Sequence, residues 1–397
     1  MNWKMRLEGN WGRLVMMYKL SDICDYVKEK TDVVGLDENT YISTENMIQN
    51  KGGISPASSL PTVTQIQAFA KGDVLVSNIR PYFKKIWFAE FDGGCSNDVL
   101  VFRTKEGVSK RFLYYVLADD AFFTYSMATS KGTKMPRGDK KAIMEYEVPS
   151  FSFDEQVKVA GILELLDKKT QLNREINDNL EQQLLSYYNE LFVTNAKENW
   201  KEGTIADLGK VVGGSTPSKK KDEYYTDQGI AWITPKDLSN NHSKFITHGE
   251  IDITELGLAN SSAVRMPAGT VLFSSRAPIG YTAIADDEVT TNQGFKSVVP
   301  FENIGTAYVY CFLKANLSVI ENMASGSTFK EISGSTMKTV PAVIPDEDTL
   351  SIFRDYADAI FDQQRNNESE NRVLTSIKDS LLPRLMSGDL DVSSFNI

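Results

Sequence analysis

Few residues in this chain are equipped for bond-making chemistry. It has 397 residues but only two histidines, His242 and His248, close together in a polar stretch, and three cysteines, Cys24, Cys95 and Cys311, without metal-ligand spacing. A zinc site needs clustered thiolates and imidazoles, and a histidine triad needs a base beside a nucleophile; the pattern offers neither. No G-x-x-x-x-G-K-[ST] occurs to cradle a phosphate, and no G-x-G-x-x-G follows a strand. An Asn-Pro-Pro-Tyr-like tetrapeptide, which an amino-methylating enzyme needs, is absent as well. The expectation is no catalytic residue, no metal and no cofactor on this chain.

The spacing points instead to recognition. Arg80, Lys84 and Lys85 surround Tyr82 and Phe83 in a basic, aromatic turn after the run VLVSNI. Lys131, Thr133, Lys134 and Arg137 cluster around Gly132 and Gly138, where a bare backbone lets a phosphate approach closely. The second half has Ser215, Thr216 and Lys219, Lys220 and Lys221 in GGSTPSKKK, Lys236 in WITPKDL, and Lys330 after SGSTF. Arg276, Asn292, Gln293, Ser327 and Thr328 are polar groups able to read base edges, and Lys296 lies beside them. Singly, each is an ordinary solvated loop residue; together, at matched places in two halves, they favour DNA as the partner.

The elements that must position these residues are written twice. KGDVLVSNIRPYFKK and AGTVLFSSRAPIGYT share one pattern, with Gly72 and Gly269 197 positions apart. LSDICDYV matches IADLGKVV, YISTENM matches WITPKDL, CSNDVLVF matches TTNQGFKSVV with Asn97 near Asn292, and MATSKGTKM matches MASGSTFKEI. Several matches in one order imply duplication. Each copy ends in a helical segment. In 154–192, Ile162, Leu166, Leu172, Ile176, Leu180, Leu184, Tyr187 and Leu191 mark one face, with Asp154 as N-cap and Val157 opening the apolar series. The second segment carries Ile352, Tyr356, Ile360, Leu374, Ile377, Leu381 and Leu385, and Pro383 is expected to disturb its last turn.

The predicted fold is α+β: two tandem recognition domains with mixed, partly barrel-like sheets, related by an internal pseudo-two-fold repeat. Two long helices between them form an antiparallel coiled coil, with Asn173, Gln363 and Asn367 fixing its register. The boundaries are 1–150, 151–198, 199–345 and 346–397. A net charge of −10 argues at first against nucleic acid, but the helical segments 151–198 and 346–397 carry it, at −4 and −6, while the domains are near neutral. No apolar run approaches the roughly 18–20 residues of a membrane span, and the cysteine usage fits a reducing, cytoplasmic compartment.

SSRAPIG with TTNQGFK, SNIRPYFKK, GGSTPSKKKDEYY leading to IAWITPKDL, DEQVKVAGILELLD and SLLPRLMSGDLDV are, in this order, similar to the specificity subunits of type I restriction-modification systems. The resemblance implies bipartite double-stranded DNA as target, one domain per half-site and the helices as ruler. It also implies two methyltransferase subunits and restriction/translocase subunits as partners, with S-adenosylmethionine and ATP bound there. The acidic helices then meet protein while the loops meet phosphate. A stand-alone DNA-binding regulator and a protein-only coiled-coil adaptor are the rival readings of the same pattern.

Overall fold

Short β-branched runs punctuated by Gly, Pro and Asn fold as short strands, and these build the two layers that carry the loops. The computed structural model describes residues 5–6, 15–240, 243–326, 330–390 and 392. The chain divides into two compact units, unit 1 formed by residues 1–170 and 373–397 and unit 2 by residues 171–372.

In unit 1 the strands of the two four-stranded sheets are β1 (Cys24–Tyr26), β2 (Lys30–Asp32), β3 (Tyr41–Ile42), β4 (Gln65–Phe69), β5 (Val74–Ser77), β6 (Ile86–Phe88), β7 (Gly93–Cys95) and β8 (Val99–Thr104). They form an antiparallel sheet of order β1-β8-β5-β6 and a second sheet, β2-β4-β7-β3, whose last pair is parallel. All of β5 is buried, and its alternation serves two cores. Val74 and Val76 pack toward the helices, whereas Leu75 joins Ile42, Met47, Trp87 and Cys95 on the other face. The helical stretch after β8 is two helices, α1 (Lys110–Ala118) and α2 (Asp120–Ala128), because the Asp119 carboxylate caps the second by accepting from Ala121 N. The long helix α3 (Phe153–Asn189) follows and runs on into unit 2.

Unit 2 repeats the plan. Strands β9 (Gly209–Gly213), β10 (Trp232–Ile233), β11 (Phe245–Ile246), β12 (Val271–Ser275), β13 (Ile279–Ala285), β14 (Thr290–Thr291) and β15 (Lys296–Pro300) give a sheet of order β9-β15-β12-β13-β11 and a parallel pair, β10 with β14. Val271 and Phe273 face the helices while Leu272 enters a core with Ile233, Leu238 and Phe295. Two helices again follow, α4 (Thr306–Ala315) and α5 (Leu317–Met323), and then α6 (Glu347–Met386). In both copies a left-handed glycine opens the central hairpin. Gly72 (φ 94°) donates to Ala89 O and Gly269 (φ 82°) to Ala285 O, each at 2.8 Å. Among the described residues no sheet closes into a barrel, so the barrel-like expectation is corrected. Strands of two to seven residues, with a register break between Phe273 and Ser275, do not sustain the staggered ladder closure requires.

The helices depart from the predicted pattern in detail. Asp154 is not the N-cap of α3. Ser152 is, in a reciprocal box with Glu155: Ser152 N donates to the carboxylate at 2.8 Å and Glu155 N to Ser152 Oγ at 3.3 Å. Pro383 does not end α6, which continues to Met386, because Leu382, Leu385 and Met386 are buried within the core of unit 1 and hold the last turn. Val157, Leu172, Ile352, Tyr356 and Ile377 are exposed. Leu184 is buried as expected, and the other places in the buried stripes go to Val159, Ala160 and Leu163 in unit 1 and to Tyr188, Phe353, Ala357 and Phe361 in unit 2.

Within unit 2 the helices meet through buried amides. Asn173 donates to Glu370 at 2.7 Å and to Asn371 at 3.0 Å, and Asn177 accepts from Asn367 at 2.8 Å and donates to Gln364 O at 3.2 Å. Gln363 donates to Asn367 along its own helix. Partner numbers fall on one helix as they rise on the other, so the segments in unit 2 run antiparallel. In unit 1 the ion pair of Asp167 with Lys378 joins the same two helices. Among the described residues no helix is long and apolar enough to cross a membrane.

Candidate nucleic-acid interface

The hairpin turn and the glycine loop, separate in the sequence, are one surface in unit 1. Beyond Ser77 the chain passes through Arg80 and Lys84, both left-handed (φ 50° and 49°), which bracket a tight turn at Pro81–Phe83. Arg80 N donates to Pro136 O at 2.8 Å and Gly138 N to Asn78 O at 3.2 Å, while Lys131 and Arg137 exchange backbone bonds at 2.9 Å. A third segment docks on this pair: Asn50 N donates to Phe83 O and Lys51 N to Lys84 O, each at 2.9 Å. Tyr82, Thr133 and Lys134 are exposed on this surface.

Four of its cations are held by carboxylates. Asp120 binds Lys84 at 2.7 Å and Lys51 at 2.8 Å; burial pushes its carboxyl up, but the two ammonium groups carry it below the usual range. Arg137 lies 3.2 Å from Asp98, and Lys131 2.5 Å from Asp139. Hydrogen bonds from Lys131 and from the Ala142 and Lys141 amides bring the Asp139 pKa down to about 2. Lys85 points inward, donating to Thr44 O at 2.6 Å, and burial lowers its pKa. Arg80 and Lys85 each stand 5.9 Å from the Phe83 ring.

The loops of unit 2 meet in the same way. The backbone contact of Ile79 with Arg137, and of Arg137 with Lys131, recurs as Arg276 with Glu331 and Glu331 with Ser325. Ala277, like Arg80, precedes a proline in the left-handed region, at φ 53°. Arg276 reaches Glu331 at 3.4 Å; Lys296, half-buried with a lowered pKa from desolvation, lies 3.9 Å from the same carboxylate. Ser215 N donates to Thr291 O at 2.9 Å, and Thr216 hydrogen-bonds Gln293, which brings GGSTPSKKK against the β14 turn. Asn292 accepts from Gly294 N at 2.8 Å and shapes that turn.

Lys219, Lys220 and Lys330 are exposed, Lys221 lies 5.0 Å from the Tyr224 ring, and Lys236 pairs with Glu250. Ser327, Thr328 and His242 lie outside the described residues. His248 pairs with Asp252 at 3.2 Å. Among the described residues no group of three or more His, Cys, Asp or Glu is placed to hold a metal.

The profile of the type I restriction modification DNA specificity domain matches twice, over residues 13–182 and 197–371. The chain belongs to this family. The specificity subunit of the MjaIX type I enzyme of Methanocaldococcus jannaschii is 37% identical over 195 residues, covering 48% of this chain and 44% of that protein. The HindI specificity subunit of Haemophilus influenzae is 24% identical, covering 94% and 99%. The crystal structure of a type I restriction-modification S subunit from M. genitalium superposes with a TM-score of 0.53 at 17% identity, over 97% of this chain and 99% of that one, a likeness of fold.

Each specificity domain also uses residues the sequence did not single out. Asn46 and Asp237 are buried and cap equivalent turns, accepting from Ser43 N at 2.6 Å and Thr234 N at 2.7 Å. Their match was visible once YISTENM was laid on WITPKDL. A polar cavity of about 470 Å³ beside Asp98 is lined by Ser43, Thr44, Glu45, Ser58 and Ser59. Lys51 had no signal, since only the fold brings residue 51 to residue 84. The matched turn shifts by one place: Ser96 N and Asn292 N donate to Ile42 O and Ile233 O, so Asn97 corresponds to Gln293.

Proposed function

We propose that the chain is the DNA-reading subunit of a type I restriction-modification complex, in which each specificity domain reads one half of a bipartite target. The observation that carries this is the recurrence, in both domains, of one loop assembly: hairpin turn, glycine loop and strand-end turn joined by the same backbone bonds. Two such assemblies on one chain suit two half-sites. Phosphates are met by Lys134, Lys219, Lys220 and Lys330 and, once released from their carboxylates, by Lys84, Arg137 and Arg276. Asn292 and Gln293 lie at the turn closest to base edges.

The helices α3 and α6 form an antiparallel coiled coil that sets the unread gap and carries two methyltransferase subunits, with restriction/translocase subunits joining them. S-adenosylmethionine and ATP bind those partners, and this chain supplies no catalytic group. The amide contacts at Asn173 and Asn177 support a register-fixing role for the helix pair. Near-neutral domains make binding weak for the subunit alone and tight with methyltransferase attached.

Genome-wide mapping of methylated adenines, with and without the chain, tests this reading. The expected result is a two-part motif at constant gap that vanishes without the chain. Arg276→Ala relaxes one half-site and Lys84→Ala the other. Matched four-residue insertions near Asn173 and Asn367 lengthen the gap alone. Loss at both half-sites from either alanine variant, or altered half-sites at an unchanged gap, contradicts the proposal.

A further inference from the structure

Several cations of the reading surface are engaged by carboxylates of the same surface. In unit 1, Asp120 holds Lys51 and Lys84, arriving from two different loops, and Asp98 holds Arg137. In unit 2, Glu331 holds Arg276, with Lys296 at 3.9 Å. Asp98 and Glu331 sit within the matched loop assemblies, and Asp120 opens α2 directly beneath the hairpin turn. Capping and ladder geometry do not require these charges. Asp119 already caps α2, and Glu331 makes its strand contacts through its backbone.

We infer that Asp98, Asp120 and Glu331 are specificity-determining carboxylates that suppress binding to non-cognate DNA. This rests on the DNA-reading function proposed above and goes a step past it. A carboxylate at 2.7–3.4 Å occupies the donors a phosphate would use. Any DNA backbone must displace it, and a like-charge neighbour then stays beside the phosphate. A cognate half-site offsets that penalty with base contacts; a random sequence has none. Selectivity is thereby built from a repulsive element as well as an attractive one. The pairs are partly solvated, so each is weak enough to be exchanged on binding.

The test measures binding of the chain, with its methyltransferase, to a random-sequence duplex and to the mapped target across a salt series. The variants are Asp98→Asn, Asp120→Asn and Glu331→Gln, with Glu198→Gln as a control of equal net charge change on an exposed residue. Each freed cation steepens the log–log salt dependence on random DNA by about 0.9. Asp98→Asn is expected to show that single step and Asp120→Asn, which frees two lysines, about twice as much. Random-sequence affinity rises roughly 3- to 10-fold per freed cation at low salt, target affinity rises less, and the control is flat. Unchanged slopes in all three variants, with thermal stability and target footprint retained, overturn the inference alone. A wild-type complex that shows no sequence-specific footprint overturns the DNA-reading function itself.

Discussion

Glu181 of α3 anchors a buried polar cluster in unit 2, and Glu181→Gln gives the sharpest test of how that unit holds together. Glu181 forms an ion pair with Lys244, accepts from Lys314 at 2.7 Å and accepts from the Tyr310 hydroxyl at 2.8 Å. Lys244 is 7% exposed, donates to Gln364 at 2.6 Å and lies 4.7 Å and 4.8 Å from the Tyr310 and Phe361 rings. Burial pushes the Glu181 carboxyl up, but Lys244 and Lys314 outweigh it and bring the pKa down to about 2; burial lowers that of Lys244. Glutamine still accepts from Tyr310 but leaves the Lys244 ammonium buried without its anion.

Removing one partner of a buried pair costs about 3–5 kcal/mol. Lys314 is partly exposed and rehydrates, so the low end applies, about 3 kcal/mol. At about 2–4 °C per kcal/mol for a unit of this size, calorimetry should show the unit 2 transition falling by about 6–12 °C at pH 7. The folded-state pKa lies below the ordinary value of 4.5, so the Glu181 contribution is complete above about pH 4.5 and lost as pH falls toward 2. Wild type and variant should therefore converge in acid. Adding Lys244→Met removes the orphaned charge and should recover most of the loss. A drop under 2 °C at pH 7, or a gap that widens in acid, refutes the reasoning.

Three further outcomes follow from the same geometry. Asn177→Ala leaves the Asn367 amide, bonded at 2.8 Å, without its acceptor, and urea unfolding should show a loss of about 1–3 kcal/mol. Pro383→Ala restores a backbone donor inside α6 and should raise the unfolding free energy of unit 1 in urea by about 1–3 kcal/mol; a fall would mean the proline ring packs where a donor does not help. Burial pushes the Cys24 and Cys95 thiols up to about 12, so iodoacetamide at pH 8 should label them only after unfolding, and rapid native labelling would contradict their burial.

What the sequence determined by itself is the plan, because period and order are local. Paired motifs 197 positions apart announced two copies. The β-branched runs VLVS and VLFS announced short strands, and three- and four-residue apolar steps announced long helices. The details that failed are those decided by competition between neighbours. Ser152 caps α3 instead of Asp154 because Glu155 reciprocates from three residues on. Leu172 is exposed while Asn173 is buried, because Glu370 and Asn371 of the opposite helix accept from its amide nitrogen. The candidate interface divides along the same line. Basic residues near glycines could be found by eye, but their partners could not. Lys51, Asp120 and Asp98 lie tens of residues away in the chain and meet the predicted turn only when the strands pair. Electrostatic contacts act through space, across distances that the order of residues does not encode, so which cations are paired is settled by tertiary structure.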